Sequence, residues 1–180
     1  MASGGRIRDD ADKAEDGRLV HAAVAGEREA FGALYRRHAR AVHGTLLSRL
    51  PPADADDGVQ EVFLQAMKRL GELREPESFA AWVCAIARRR AVDHYRRRVE
   101  QEELPAEVPS RADTGARAEA GEVLRAIQQL PEAYHEPLVL RLVEGLSGPE
   151  IAAVTGLTPD SVRVNLHRGF RLLRQKLGVE

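Results

Sequence analysis

Residues 144–169 read "EGLSGPEIAAVTGLTPDSVRVNLHRG", and this stretch restricts the chain more than any other. Ser147 and Glu150 stand as Ser-x-x-Glu, a capping box in which side chain and backbone satisfy each other at a helix start. Leu146 and Ile151 flank it where a hydrophobic staple would sit. Gly156 is placed to end that helix in a left-handed turn, and Thr158-Pro159 restarts one with an N-cap and a first-position proline. This is helix-turn-helix punctuation. Ala152 is small where the two helices would cross, while Ile151, Leu157, Val162 and Leu166 can form the core between them. Ser161, Arg163, Val164, Asn165, His167, Arg168 and Arg171 are left to face outward, a mixture suited to base edges and phosphates. Punctuation alone also fits a plain helical hairpin with a solvated basic face. The spacing and the basic second helix favour DNA.

The rest of the chain carries a helical period. Only 4% of its 180 residues are aromatic, whereas Ala, Leu, Arg and Glu abound, so an all-α chain is expected. Between Leu19 and Leu50 the apolar residues Val20, Ala23, Phe31, Leu34, Tyr35, Val42, Leu46 and Leu47 recur at helical spacings, with a break near Gly26. "PPADADD" stops that pattern, and Asp54, Asp56 and Asp57 suit a helix N-terminus, where carboxylates cap free amides. In the next helix Val59, Val62, Phe63, Ala66, Met67 and Leu70 form an apolar stripe, opposite Gln60, Glu61, Leu64 and Gln65. After the loop "GELREPES", Phe79, Trp82, Val83 and Ile86 mark a fourth helix, with Trp82 wholly or partly in the core and Cys84 a buried filler. Residues 1–17 read as a flexible leader, 18–99 as a first helical domain, 100–120 as an acidic linker and 121–180 as a second domain. That second domain should hold helices near 122–130, 132–144, 148–155 and 159–177.

Net charge is only −1, yet its distribution is uneven. Arg88, Arg89, Arg90, Arg96, Arg97 and Arg98 stand against Asp93 alone, and an acid-rich segment follows from Glu100 to Glu122. At about 100° per residue, Arg89 shares a face with Arg96 and Arg90 with Arg97, each pair roughly 10 Å apart. The stripe of Phe79, Val83 and Ile86 runs on into Arg90 and Arg97, so the C-terminal half of this helix should project from the core or carry a polyanion. His94 and Tyr95 could add base or sugar contacts. A solvated, charge-rich helix end is the alternative.

Several function classes lack support. A single cysteine excludes a disulfide framework, and the histidines lack metal-ligand spacing. There is no glycine-rich phosphate loop and no nucleophile elbow, so no enzyme activity, catalytic residue, metal or cofactor is expected. No apolar signal core or run of about 20 apolar residues is present, which points to a cytoplasmic protein without membrane insertion.

Taken together, "DADDGVQEVFLQAM", "FAAWVCAIARRRAVDHYRRR" and the helix-turn-helix, in that order around an acidic linker, closely resemble bacterial extracytoplasmic-function sigma factors over residues 18–177. The resemblance implies two small helical domains, a sigma region 2 bundle and a sigma region 4 helix-turn-helix, joined by a flexible linker that threads polymerase channels. It implies docking of Asp57, Gln60, Glu61, Leu64 and Gln65 on the clamp helices of the largest RNA polymerase subunit, with a further contact to the flap of the second-largest subunit. Arg74 and Ser78 in the loop, with Arg88, Arg89, Arg90, Arg96, Arg97 and Arg98, fall where the family melts and reads the minus-ten element. Ser161, Arg163, Val164, Asn165, His167, Arg168 and Arg171 fall where it reads the minus-thirty-five element. An anti-sigma protein is the implied regulator, and no small-molecule substrate is implied.

Some positions depart from the family pattern. Arg89 and Arg90 replace an asparagine and an apolar residue, and Val164, Asn165 and Phe170 replace commonly polar or basic ones. Pro137 stands where the family continues a helix, at a cost of about 3 kcal/mol unless it lies in the first turn, so a late start or a kink near Glu136 is expected. Thr155 occupies a normally apolar position and should soften that core. Two other classes fit parts of the chain: a helix-turn-helix regulator with a ligand-sensing or dimerising N-terminal domain, and a helical adaptor that binds no DNA.

Overall fold

The computed structural model describes the backbone of residues 3–101 and 116–179, with side chains over 10–94, at 96 and over 121–179. Among the described residues there are eight α-helices and no strand. The first four are α1 (Ser3–Val24), α2 (Arg28–Leu47), α3 (Pro52–Arg69) and α4 (Phe79–Gln101). Short 3-10 turns at Leu70–Glu72 and Pro76–Ser78 join α3 to α4.

The break near Gly26 is a Schellman end: Gly26 has φ +101°, its amide donates to the Ala23 carbonyl, and the Glu27 amide donates to that of Ala22. Upstream, residues 3–17 of the segment expected as a leader form the front of α1. Asp16 is buried, and Arg37 of α2 donates to Asp16 at 2.9 Å and to Asp12 at 3.1 Å. A tertiary contact, which apolar periodicity cannot register, thus ties down a polar segment.

The core of this bundle is the expected one, with Leu34, Val42 and Leu46 of α2, Val62, Phe63 and Ala66 of α3, and Phe79, Val83 and Ile86 of α4. Each of the larger side chains contributes roughly 1.5–3 kcal/mol by leaving water. Met67 departs from the expected stripe, being 53% exposed. On α4 the core also runs further than expected, because Ala87 and Ala91 bury fully beside the arginines. The three aspartates fall inside α3, with Asp54 in its first turn at the positive end of the dipole, but none acts as the N-cap, which is Pro51 with no side-chain hydrogen bond. Asp54 and Asp56 lie instead 3.2 Å from His94 Nε2 and 3.3 Å from His43 Nε2.

The linker expected over 100–120 lies largely outside the described residues, though α4 extends to Gln101 and the next helix starts at Ala116. The second group comprises α5 (Ala116–Gln128), α6 (His135–Leu142), α7 (Gly148–Thr155) and α8 (Pro159–Leu177). Pro137 delays α6 rather than kinking it: a 3-10 turn over Glu132–Tyr134 precedes the helix, and Pro137 falls in its first turn, where no amide is needed. Leu138, Leu140, Ile151, Val162 and Leu173 are buried at the centre. Gly169 lets α8 approach α6, since a Cβ there would meet Leu138 Cδ1 at 3.0 Å.

The two groups pack on each other, α6 against α2 and α7 against α4. No helix among the described residues is long and apolar enough to cross a membrane.

Candidate nucleic-acid interface

The helix-turn-helix forms as its punctuation requires. The Ser147 amide donates to Glu150 Oε2 at 2.6 Å and the Glu150 amide to Ser147 Oγ at 3.4 Å, completing the capping box. Gly156 adopts φ +74°, and Thr158 caps α8 by accepting from the Ser161 amide at 3.2 Å. The hydroxyl of Thr155 is satisfied locally: it donates to the Ile151 carbonyl at 2.6 Å and accepts from the Leu157 amide at 3.3 Å. Leu157, expected in the core, is 36% exposed at the turn.

On α8 the expected reading face is presented to solvent. Arg163, Val164, His167, Arg168 and Arg171 are exposed and Asn165 is half-buried. Two residues are partly engaged already. Thr158 donates to the Ser161 hydroxyl at 2.8 Å, and Arg163 pairs with Asp160 at 3.1 Å. The latter is an exposed pair of little energetic weight. Phe170 belongs to the packing side, against the core.

A second surface lies on α3. Asp57, Gln60, Glu61, Leu64 and Gln65 are all exposed along one side of the helix, with Leu64 at 56%. They therefore form a continuous stripe opposite the buried Val62, Phe63 and Ala66. Glu61 is not unoccupied, because Arg90 of α4 pairs with it.

The arginines of α4 divide in a way their sequence did not reveal. Arg89 and Arg96 are exposed, as is Arg74 in the preceding loop, while Ser78 donates to Glu75 at 3.2 Å. The side chains of Arg97, Arg98 and Tyr95 lie outside the described residues. Arg88 turns inward. Its Nε donates to both carboxylate oxygens of Glu136, at 3.1 and 3.0 Å, and its Nη2 donates to the Val154 carbonyl at 2.6 Å. That carbonyl lies in the last turn of α7, where acceptors lack helical partners and positive charge is favoured. Thr45 of α2 donates to the same Glu136 at 3.1 Å.

Beside this cluster α6 runs antiparallel to α2. Glu136 of α6 pairs with Thr45, Glu132 in the turn before α6 with Arg49, and Glu144 just beyond α6 with His43 at 2.6 Å; Arg40 also donates to the Glu144 carbonyl. The hydrogen bond to Glu144 holds the His43 imidazolium above its ordinary pKa, against the opposing effect of burial; the charges of Glu144 and Asp56 add to it. Hydrogen bonding to Arg49 holds the exposed Glu132 carboxyl below its usual range. Burial pushes the Cys84 thiol up to about 12, despite opposing contributions from Thr45 and Arg88, so it is inert as a nucleophile. Sequence reasoning did not single out Glu136 or Glu144. Their only local signal is two acids flanking the apolar run "PLVLRLV".

Two family models match in chain order: Sigma-70 region 2 over residues 34–100, and Sigma-70, region 4 over residues 120–173. The RNA polymerase sigma factor CarQ of Myxococcus xanthus is 33% identical over 85% of this chain and 92% of its own. The ECF RNA polymerase sigma factor SigM of Mycobacterium tuberculosis H37Rv is 32% identical over 91% of this chain and 85% of its own. The chain belongs to the extracytoplasmic-function sigma factors. Among solved structures, CnrH in complex with the cytosolic domain of CnrY superposes on this sigma factor with a TM-score of 0.67 at 30% identity, covering 91% of this chain and 97% of CnrH. In this sigma factor, region 2 thus runs from within α2 to the end of α4, and region 4 from within α5 to most of the way along α8.

Proposed function

We propose that this sigma factor binds core RNA polymerase and directs promoter-specific initiation, with no catalytic activity of its own. The functional units are taken as residues 18–99 and 121–180, joined through 100–120. The exposed α3 stripe of Asp57, Gln60, Glu61, Leu64 and Gln65 docks on the clamp helices, and the region 4 unit meets the flap. α8 enters the major groove at the minus-thirty-five element through Ser161, Arg163, Val164, Asn165, His167, Arg168 and Arg171. Arg74, Ser78 and the arginines of α4 hold the minus-ten strand during melting, when a base leaves the stack and basic residues track the backbone. The protein acts in the cytoplasm, and an anti-sigma protein restrains it. The complex of CnrH with the cytosolic domain of CnrY supports a protein partner of that kind.

One observation carries this reading: regions 2 and 4 occur in order, each presenting an exposed face at the expected positions. The test is transcription in vitro with core enzyme on fragmented genomic DNA, followed by mapping of the starts. Discrete new starts with a shared upstream pair of elements are expected. Failure to bind core enzyme, or to direct any initiation, overturns it.

A further inference from the structure

Arg88 raises a conflict. As an arginine of the minus-ten surface it should meet phosphate, yet it is three-quarters buried on Glu136, itself 8% exposed, and on the Val154 carbonyl. These partners belong to region 4, so the arginine spans the domain boundary. The neighbouring contacts are built to the same end. Glu144 is 6% exposed and binds His43 and Arg40 of α2. Gly44 lies between these pairs, and a Cβ there would stand 2.7 Å from Glu144 Cγ and 2.8 Å from Leu140 Cδ2. A larger residue there would force Leu140 and Glu144 to shift, so the glycine lets α6 lie this close to α2. Two buried carboxylates, their cationic partners and a bare backbone site therefore fall along one interdomain seam.

We infer that this seam is an intramolecular latch in which Glu136 of region 4 competes with nucleic-acid phosphate for Arg88. A guanidinium that gives Nε to a carboxylate and Nη2 to a helix-end carbonyl, and is three-quarters buried in doing so, has its charge paired and two of its three nitrogens turned inward, so a phosphate must compete with Glu136 for it. In the closed chain Arg88 is withheld from DNA; parting the domains releases it. Part of the DNA affinity of the minus-ten surface is then set by whether α6 lies on α2. This rests on the proposed role of α4 in holding promoter DNA, but the closure itself is measured without DNA.

The full chain is labelled for energy transfer at Glu29→Cys on α2 and Lys176→Cys on α8, both exposed; the native Cys84 is buried. Two variants open the seam by different means. Gly44→Gln is a charge-neutral wedge that favours the helix of α2, so folding is preserved. Glu136→Gln removes the competing charge. Both should lengthen the interdomain distance while helix content by circular dichroism stays unchanged. Binding to a random-sequence duplex is then followed against salt. Gly44→Gln should steepen the log–log slope by about 0.9, the value of one further phosphate contact, and adding Arg88→Gln should cancel that gain. An unchanged distance in either opening variant overturns the latch, and a slope indifferent to Arg88→Gln in the opened chain overturns the competition. Core-polymerase binding by the wild type is scored separately. Its absence defeats the proposed function, whereas its presence beside an unchanged distance defeats only the latch.

Discussion

Helices α4 and α8 are both arginine-rich, and the chain uses the two sets of charge differently. On α8, Arg168 and Arg171 lie in solvent on the face opposite Val162 and Leu173. On α4, Arg88 and Arg90 are engaged by Glu136 and Glu61, and only part of the cluster faces outward. Equal charge in sequence is thus unequal charge at the surface. The sharpest separation comes from alanine at one position on each helix. Arg88→Ala leaves Glu136 buried and short of a partner, which costs about 3 kcal/mol, the low end for an orphaned buried charge because a quarter of Arg88 is exposed. Arg168→Ala should stay within about 0.5 kcal/mol. Urea midpoints followed by circular dichroism measure both, and similar losses at the two positions would erase the distinction.

DNA binding should invert that order. In the wild-type chain Arg168→Ala should reduce the salt slope of duplex binding by about 0.9 and lower affinity severalfold, since its charge is already available. Arg88→Gln alone should leave the slope nearly unchanged, because Arg88 paired with Glu136 makes no phosphate contact in the wild type and glutamine makes none if the seam opens. A slope that depends on Arg88 without any opening would show that the α4 charge is available after all.

The same contrast explains what could be read in advance. The helix-turn-helix was legible nearly residue by residue because its determinants are local: Ser147 to Glu150, Gly156, and Thr158 to Ser161 all act within three residues. The apolar stripes of α2, α3 and α4 were legible through their period, with Met67 and Leu157 misplaced because period alone does not say where a neighbouring helix stops. Long-range pairs were not legible. Arg37 reaches Asp16 across 21 positions and Arg88 reaches Glu136 across 48, and no local pattern encodes either pair. The polar front of α1 and the inward turn of Arg88 were missed for this one reason. The exposed faces of α3 and α8 were anticipated because exposure follows once the buried face is known.

Helix starts offer a smaller version of the comparison. α8 begins on Thr158, whose hydroxyl accepts from Ser161, whereas α3 begins on Pro51 and its aspartates point elsewhere. Thr158→Ala should therefore cost about 1 kcal/mol, as should Ser147→Ala at the capping box of α7. Asp57→Ala at α3 is exposed and caps nothing, so its cost should be within about 0.5 kcal/mol. Thermal melts of the three variants check this, and a loss at Asp57 equal to that at Thr158 would mean that the α3 carboxylates act as caps in solution.

The smallest effect is a pH dependence confined to the seam between α2 and α6. His43 faces Glu144 at the end of α6 at 2.6 Å and Asp56 of α3 at 3.3 Å, while Arg40 of its own helix shares Glu144 at 3.7 Å. Asp56 is 73% exposed and largely screened, so Glu144 carries most of the interaction. The His43 pKa is raised in the closed chain above its ordinary value of about 6.5. Its contribution to closure is therefore fully present below that ordinary value and is lost as pH rises through the raised one. Cys84, with its thiol near 12, stays protonated across that interval and adds nothing to the profile. Interdomain distance should increase as pH rises from about 6 to about 9, and His43→Gln, which keeps a donor toward Glu144, should flatten the curve. A profile unaltered by His43→Gln would place the titrating group elsewhere and leave Arg88 and Gly44 as the working parts of the seam.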